Sequence, residues 1–599
     1  MGVKRKNTDS LNNISKKPCI DWNTMISASS VKNYINNDTL LDWLKYYSID
    51  NINSIPKITN HNTFKQKNNK ITSFTDFIME QGLEYEKKIY EHLKQNYNVV
   101  TISETNETQS YNKYMETLEH IKNGTEIIYQ GVLHDYTNNL YGSPDLLIRS
   151  DMINTIFKKN LYDKSSKYHY VVVDIKHSTL HFDKKNNNNN LKNNLKNNLK
   201  NNLKNINSIP TYKGQLLIYN RILGKIQNYT PQYAFIIGNN NLDSIGVIDY
   251  HNYDYIYNEK VDKALEWITR MRTEGINWRL LPKPSIPELY PNMKNEKDGN
   301  YRKIKIELSE KINEITNIWW CGYNKRVLAH SKNIYSWKDK RLNSRIMEFK
   351  DNKISKLIDN ILNINRSKSD LIRLVDLKNS SKEWKNFGNN TLEFYIDFET
   401  MNSNIGQVID EDNITTDIIF MIGLGWIENN KWCFKSFVLE NNTDDDELQM
   451  INNMWDFINI KKKELNKNKS IFIHWSHAEV TFYNKFLNKH TNIQFPEIHF
   501  YDLHKLFIEN NIVVKGSLNF SLKNIAKSMY NNKLISTLWD TKSICSNGLQ
   551  AMLLAFKIYE NKDVNKSIYS YDIIDEIIKY NLIDCKVMWE ILLYLRTNN

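Results

Sequence analysis

Apolar positions along the chain form two periodic runs separated by a long mixed stretch. In the first run, residues 72–254, the segment "FTDFIMEQGLEYEKKIYEHLKQ" repeats its apolar residues at helical spacing and predicts a helix. Strands are predicted at "VVTIS", "TEIIYQGVL", "SPDLLIR" and "YHYVVVDIKH". A second helix at "YKGQLLIYNRIL" then leads to a strand at "QYAFIIGN", giving an αβββαβ core in outline, with one strand more than that order between the helices. The second run, residues 391–599, has strands at "LEFYIDFE", "IIFMIGLGW", "KWCFKSFVL", "SIFIHWS" and "EIHFYDL", with helices among and after them. Such a run predicts a sheet covered by helices, and the chain as a whole reads as α/β multidomain. Residues 1–71 read as a basic tail and a helical lead-in, "SSVKNYINNDTLLDWLKYY". Residues 255–390 are polar, mostly helical and rich in aromatics, as expected of a helical linker module.

One segment interrupts the first run. From Lys184 to Asn207 a slipped repeat places Leu191, Leu195, Leu199 and Leu203 four apart. Leucines at that spacing line one helical face, but Asn is a poor helix former, so the segment reads as a mobile insertion. Lying between a strand and a helix, it adds only a modest loop-entropy cost.

Composition narrows this picture. A chain of 599 residues exceeds what one hydrophobic core organises. The formal charge of +12 favours an anionic partner, although Lys, Asn and Ile richness is also a mark of A/T-rich coding. Five dispersed cysteines without a C-x-x-C pair argue against a zinc ribbon or disulfide framework and for a reducing compartment. The longest apolar run, Ile418 to Ile427, is short and broken by glycine, so a soluble, intracellular protein of cytoplasm or nucleus with no membrane contact is expected. Lys4, Arg5 and Lys6 are compatible with a nuclear address, but a solvated tail is the simpler reading.

Candidate chemistry appears first in "VVVDIKH", where Asp174 and Lys176 leave the same face of a strand. A carboxylate and an ammonium so placed can hold a divalent metal and position water for phosphodiester attack. Asp145 in "GSPDLLIR" lies on a neighbouring strand, and Gln215 and Tyr219 share a helical face. These motifs, with "GLEYE" containing Gly82 and Glu86, resemble the RecB-like branch of the PD-(D/E)XK nucleases over residues 72–240. The resemblance implies Asp145, Asp174 and Glu86 as metal ligands, Lys176 as the catalytic lysine, and Gln215 with Tyr219 as substrate-supporting residues. The spacing from Asp145 to Asp174 is longer than usual in that family. Some RecB-like members carry an iron-sulfur cluster on four cysteines, but only Cys19 precedes position 321 here, so no cluster is expected.

A second constellation lies in "FYIDFETM", which puts Asp397 and Glu399 on one face of an apolar strand, where two carboxylates repel unless a cation offsets them. In "KYNLIDCKVMWEIL", Tyr580 and Asp584 are four apart on a helix, a pairing suited to binding metal and orienting water. Together they resemble the DEDD 3′–5′ exonucleases of the RNase H-like superfamily, in the subgroup whose last motif is Tyr-x-x-x-Asp, with YprB-like domains the nearest in look. The resemblance implies Mg²⁺ or Mn²⁺, two ions in this site, held by Asp397, Glu399 and Asp584, with Tyr580 placing the attacking water. Glu479 is the first choice for the remaining acid and Asp502 the second, Asp502 also being well placed to cap a helix. His474 and His477 read as packed, hydrogen-bonded residues rather than ligands.

In the middle, Trp319, Trp320, Tyr323, Tyr335 and Trp337 alternate with Lys325, Arg326, Lys338, Lys340 and Arg341. That alternation suits a single-strand track, or else aromatics in a core with cations on its solvated face. The expected function is metal-dependent hydrolysis of nucleic acid, DNA above all, with a helicase among the conceivable protein partners. A nucleic-acid-binding scaffold with inactive sites and an RNA-processing exonuclease are the alternatives.

Overall fold

The computed structural model describes residues 20–57, 74–104, 107–159, 161–162, 167–183, 201–239, 245–350, 352–379, 382–402, 417–540, 542–563 and 565–598. Its N-terminal sheet has six strands. In chain order they are β1 (Val99–Thr101), β2 (Ile127–Tyr129), β3 (Leu146–Arg149), β4 (Tyr170–Ile175), β5 (Tyr233–Ile237) and β6 (Ile245–Asp249), and they lie side by side in that order. The β1–β2 and β4–β5 pairs are parallel and the others antiparallel. Helix α1 (Phe74–Asn96) precedes β1, α2 (Ile209–Ile226) makes the crossover between β4 and β5, and α3 (Ile256–Glu274) follows β6. A small sheet outside the predicted set pairs Leu133–Asp135 with Leu140–Gly142 and adds Ile26–Ser27 in parallel.

Strand β4 is buried at every position, as its nearly unbroken apolar sequence requires of a central strand covered on both faces. Val171 and Val173 pack towards Tyr85, Ile89 and Leu93 of α1. Tyr170 and Val172 pack towards α2. Asp174 and Lys176 share the parity of Val172 and therefore face α2.

Residues 20–57 are more than a lead-in. Trp43 and Tyr47 are buried in the N-terminal core and donate to the carbonyls of Gly275 (2.8 Å) and Met271 (3.0 Å). Asp38 and Lys305, both fully buried, form an ion pair of 2.7 Å, and Asp38 also accepts from the Asn292 backbone and the Asn295 side chain.

The stretch from 255 to 390 departs from the expected single linker module. Its first part, through Ile312, belongs to the N-terminal core, whereas Ile315 through Trp384 packs with the C-terminal half apart from Tyr335, which packs back on the N-terminal core. Asn313, in the left-handed region at φ 55°, caps the helix Arg302–Ile312 and stands between the two cores. Buried Arg326 spans the joint, donating to the carbonyls of Tyr290 (3.0 Å) and Pro291 (2.8 Å) and to Glu314 (3.2 Å). The aromatics here are split between cores because each apolar patch sits on whichever half its helix packs against.

The C-terminal sheet is built from β7 (Thr391–Asn402), β8 (Asp417–Glu428), β9 (Lys431–Val438), β10 (Lys469–His474) and β11 (Phe500–Asp502), in the spatial order β9-β8-β7-β10-β11. The β9–β8–β7 ladder is antiparallel and β7–β10–β11 is parallel. The helices that matter for the site are α4 (Ala478–Lys489), α5 (Leu522–Asn531), α6 (Gly548–Asn561) and α7 (Asp572–Thr597). Helix α7 crosses β7 closely because Gly423, opposite Asp397 on β8, has no side chain; a Cβ there would meet Asn581 Oδ1 at 1.7 Å. Among the described residues no helix is long and apolar enough to cross a membrane.

Most of the Asn/Lys repeat lies outside the described residues, but its last part does not behave as an insertion. Leu203 is fully buried against Gly246, pairs with Phe182, and offers its carbonyl to buried Lys213 at 2.8 Å. An apolar side chain with a core to enter overrides the polarity of its neighbours. Leu203→Ala should therefore destabilise the protein by roughly 2–5 kcal/mol in urea unfolding, the range for truncating a buried leucine; a change within error would return Leu203 to the insertion.

Candidate active site

Strand β7 presents Asp397 and Glu399 on the face that carries Tyr395 into the core shared with α7. From α7 come Tyr580, Asn581 and Asp584, all buried. Carboxylate oxygens of Asp397, Glu399 and Asp584 lie within 4.8 Å of one another, and among the described residues this is the one set of three ligand-type side chains that converges so. The Asn581 amide donates to Asp397 Oδ2 at 2.7 Å and to the Asp397 carbonyl at 3.2 Å, and it also reaches Glu399.

Electrostatics records the crowding. Burial, then Asp584 and Glu399, push the Asp397 carboxyl well above the usual range, and Glu399 rises through burial and Asp584. Asp584 is pushed up to about 7 by burial, against the pull of Lys523 and of the neighbouring Tyr580 and Trp539 side chains. Burial and the three carboxylates hold the Tyr580 phenol far above its ordinary value, so it keeps its proton. Lys523, on the first turn of α5, lies 4.4 Å from the centre of the Tyr580 ring and is anchored to the Ser546 carbonyl at 2.6 Å. Three hard oxygen donors in a buried cluster form a set suited to a divalent cation.

Glu479, near the start of α4, is buried and its charge acts on Asp397, Glu399 and Asp584, but its Oε2 pairs with His474 Nδ1 at 3.2 Å rather than joining the triad. His474 is buried and packs edge-on against Phe500, while exposed His477 meets Ser476 Oγ. Asp502 caps the helix Leu503–Glu509, its Oδ1 accepting from the backbones of Lys505 (3.2 Å) and Ser476 (2.9 Å). Lys523, Asn581 and Trp539 are absent from the sequence reading because a lone Lys, Asn or Trp at a helix or loop carries no spacing signal.

In the N-terminal half, Lys176 Nζ stands between two carboxylates, 2.6 Å from Asp174 Oδ2 and 3.3 Å from Asp145 Oδ2. Asp145 Oδ2 also accepts from the Ile175 backbone at 2.7 Å. Burial alone would lower the Lys176 pKa, but Asp145 and Asp174 together hold it well above the ordinary value. Burial, then Asp174, raise Asp145. Glu86 of α1 accepts from Tyr129 (2.8 Å) and from Gln130, whose amide also reaches Asp145 Oδ1 at 3.4 Å. Gln130 went unread in the sequence, being a polar residue in a turn with φ 53°. On α2, Gln215 donates to the Tyr219 hydroxyl at 2.9 Å. Tyr219 packs against Gly142, where a Cβ would meet its ring at 2.3 Å. Gly82 has no comparable constraint, since a Cβ there would meet nothing. The two sites thus differ: one neutralises its carboxylates with an internal ammonium, and the other crowds three together.

That difference has a pH signature. Asp584 has a folded pKa of about 7 against an ordinary 3.8, so its contribution to stability is present at low pH and lost as pH rises through about 7. In EDTA the C-terminal half should melt at a lower temperature at pH 8 than at pH 6, and saturating divalent cation should remove most of the difference. Equal melting temperatures in chelator would mean the carboxylates are not crowded. Circular dichroism or scanning calorimetry reads this directly.

No curated protein and no solved structure matched the chain in comparison. Comparison with protein families did give a match, the RNase_H superfamily, over residues 394–596. This span contains Asp397, Glu399, Glu479, Tyr580 and Asp584, and the match supports an RNase H-like domain in the C-terminal part of the chain and a nuclease acting on nucleic acid.

Proposed function

We propose that the chain is a metal-dependent nuclease with two carboxylate sites, acting on DNA ends or intermediates of repair, recombination or replication. The observation that carries this reading is the convergence of Asp397, Glu399 and Asp584 beside Tyr580 within the RNase H-like span. The C-terminal site is read as a Tyr-type DEDD 3′–5′ exonuclease similar to YprB-like domains, using Mg²⁺ or Mn²⁺ at two positions. Asp397, Glu399 and Asp584 would hold the ions, and Glu479 would complete the set by turning from His474. When bound, such ions supply the charge that stabilises attacking and leaving oxygens of an in-line displacement. Tyr580 orients the attacking water through its phenolic oxygen or helps to deprotonate it. Lys523 places a fixed positive charge beside the same phenol, where it offsets charge on the phosphodiester.

The N-terminal half is read as a RecB-like PD-(D/E)XK nuclease. Three features support this: the adjacent strands β2, β3 and β4 followed by the α2 crossover to a parallel β5, the placement of Asp174 and Lys176 on one face beside Asp145, and the Gln130 amide linking Glu86 to Asp145. Asp145, Asp174 and Glu86 would hold metal, and Lys176 would position the nucleophilic water. Gln215 and Tyr219 stiffen the α2 side of the site and support the substrate. A scaffold with inactive sites would need neither Lys176 between its carboxylates nor a phenol at Tyr580.

Incubating the purified chain with end-labelled single- and double-stranded DNA and RNA tests the reading. Cleavage should vanish in EDTA and return with Mg²⁺ or Mn²⁺. Asp397→Ala should lower exonucleolytic trimming on the order of a thousandfold, the cost of removing several kcal/mol of transition-state stabilisation. Lys176→Ala should remove a second activity and spare the trimming. Cleavage in chelator would defeat both assignments, preference for RNA would move the function to RNA processing, and one substitution silencing everything in a folded protein would defeat the separation of sites.

A further inference from the structure

Most of the aromatic and basic alternation between Trp319 and Arg341 is used by the fold. Arg326 is buried in the joint, Arg341 is held by Asp339 and the Asn333 carbonyl, and Lys325 is bound to the Glu348 carbonyl above Phe349. Tyr335 and Trp337 pack against the two cores. Trp320 is different. It is 58% exposed, and its backbone lies in the left-handed region at φ 60°, which a bulky side chain rarely adopts. Packing does not explain that strain, because more than half of the residue stays in solvent.

The position of Trp320 gives the strain a use. Its ring rests 5.3 Å from that of Trp319, which in turn meets Phe520 edge-on at 5.2 Å, while the Trp319 amide is bonded to the Leu518 carbonyl at 2.7 Å. Ser521, next after Phe520, caps helix α5, and Lys523 on its first turn lies over Tyr580. Two ring-to-ring steps and one helical turn therefore connect an exposed indole to the carboxylate site. Lys294 and Lys325 lie near enough to the adjacent Cys321 for their charges to act on its thiol.

We propose that Trp320 is a stacking platform for a base of the single strand fed to the C-terminal site. The inference rests on the nuclease reading above and adds to it where the strand is held. A flat aromatic face linked through packed rings to the carboxylate site fits a strand whose every unit carries a π-face, whatever its sequence. An aromatic or proline-rich protein segment would use the ring but not that link to the site.

The test measures binding in EDTA, where no cleavage intervenes, by anisotropy of a labelled oligothymidylate and of an abasic strand of equal length. Trp320→Gly should weaken oligothymidylate binding roughly five- to a hundredfold, the range for one lost stacking contact, and Trp320→Tyr should recover most of it. Binding of the abasic strand should change little in either variant. The melting temperature of Trp320→Gly should stay level or rise, since glycine accepts the left-handed backbone; should it fail to fold, Trp320→Asn takes its place with the same expected loss. Oligothymidylate binding by the folded glycine or asparagine variant as tight as that of the parent, with the parent still cleaving, would overturn the platform and leave the nuclease reading standing. Equal weakening with the abasic strand would also overturn it. A parent that neither binds nor cleaves would overturn both.

Discussion

Like charges brought together out of water are the constraint on which the C-terminal half depends. Asp397, Glu399 and Asp584 cannot all be ionised at this distance in a buried site without a cation, and each carboxyl is displaced upward. The surrounding sequence accommodates that cost in particular ways. Gly423 lets α7 approach β7, Asn581 donates to Asp397 and reaches Glu399, and Lys523 lends a partial counter-charge. Each of these is an adjustment around the crowded carboxylates. The N-terminal half resolves the same problem by folding its own ammonium between two carboxylates.

Buried charge also shapes the frame. Asp38 with Lys305 and Glu314 with Arg326 are ion pairs from which water is excluded. Against hydrophobic replacements such pairs contribute little net stability, yet losing one partner is expensive. Their positions suggest what they accomplish here. Asp38 gathers the N-terminal segment, the loop at Asn292 and the helix of Lys305 into one arrangement, and Arg326 binds the carbonyls of one core to the first residues of the other.

Much of this was legible in the sequence where local periodicity carries the information. The strands through Asp174, Asp397 and His474 lie where alternation and apolar runs predict them, and Tyr580 and Asp584 do share a helix at the expected spacing. What could not be read depends on contacts between distant segments. Nothing local distinguishes Lys523 from other surface lysines, and only the fold brings it over Tyr580. Leu203 looks like one more leucine of a polar repeat until β6 supplies Gly246 for it to rest on. Asp502 and Glu479 are both plausible acids on paper; the difference is that Asp502 spends its oxygen on backbone amides. The stretch from 255 to 390 reads as one piece because helical periodicity does not say which neighbour a helix will choose.

The joint at Asn313 has a consequence for how such a chain can be divided or recombined. The last buried residue of one core, Ile312, and the first of the other, Ile315, are separated by only Asn313 and Glu314. A gene fusion or transplant cut at residue 255 or 390, where the amino-acid pattern changes, would carry off a slab of its neighbour's interior and leave raw apolar surface on both fragments. The seam between these halves runs through a single left-handed asparagine, and any exchange along it would have to replace what Arg326 gives the Tyr290 and Pro291 carbonyls.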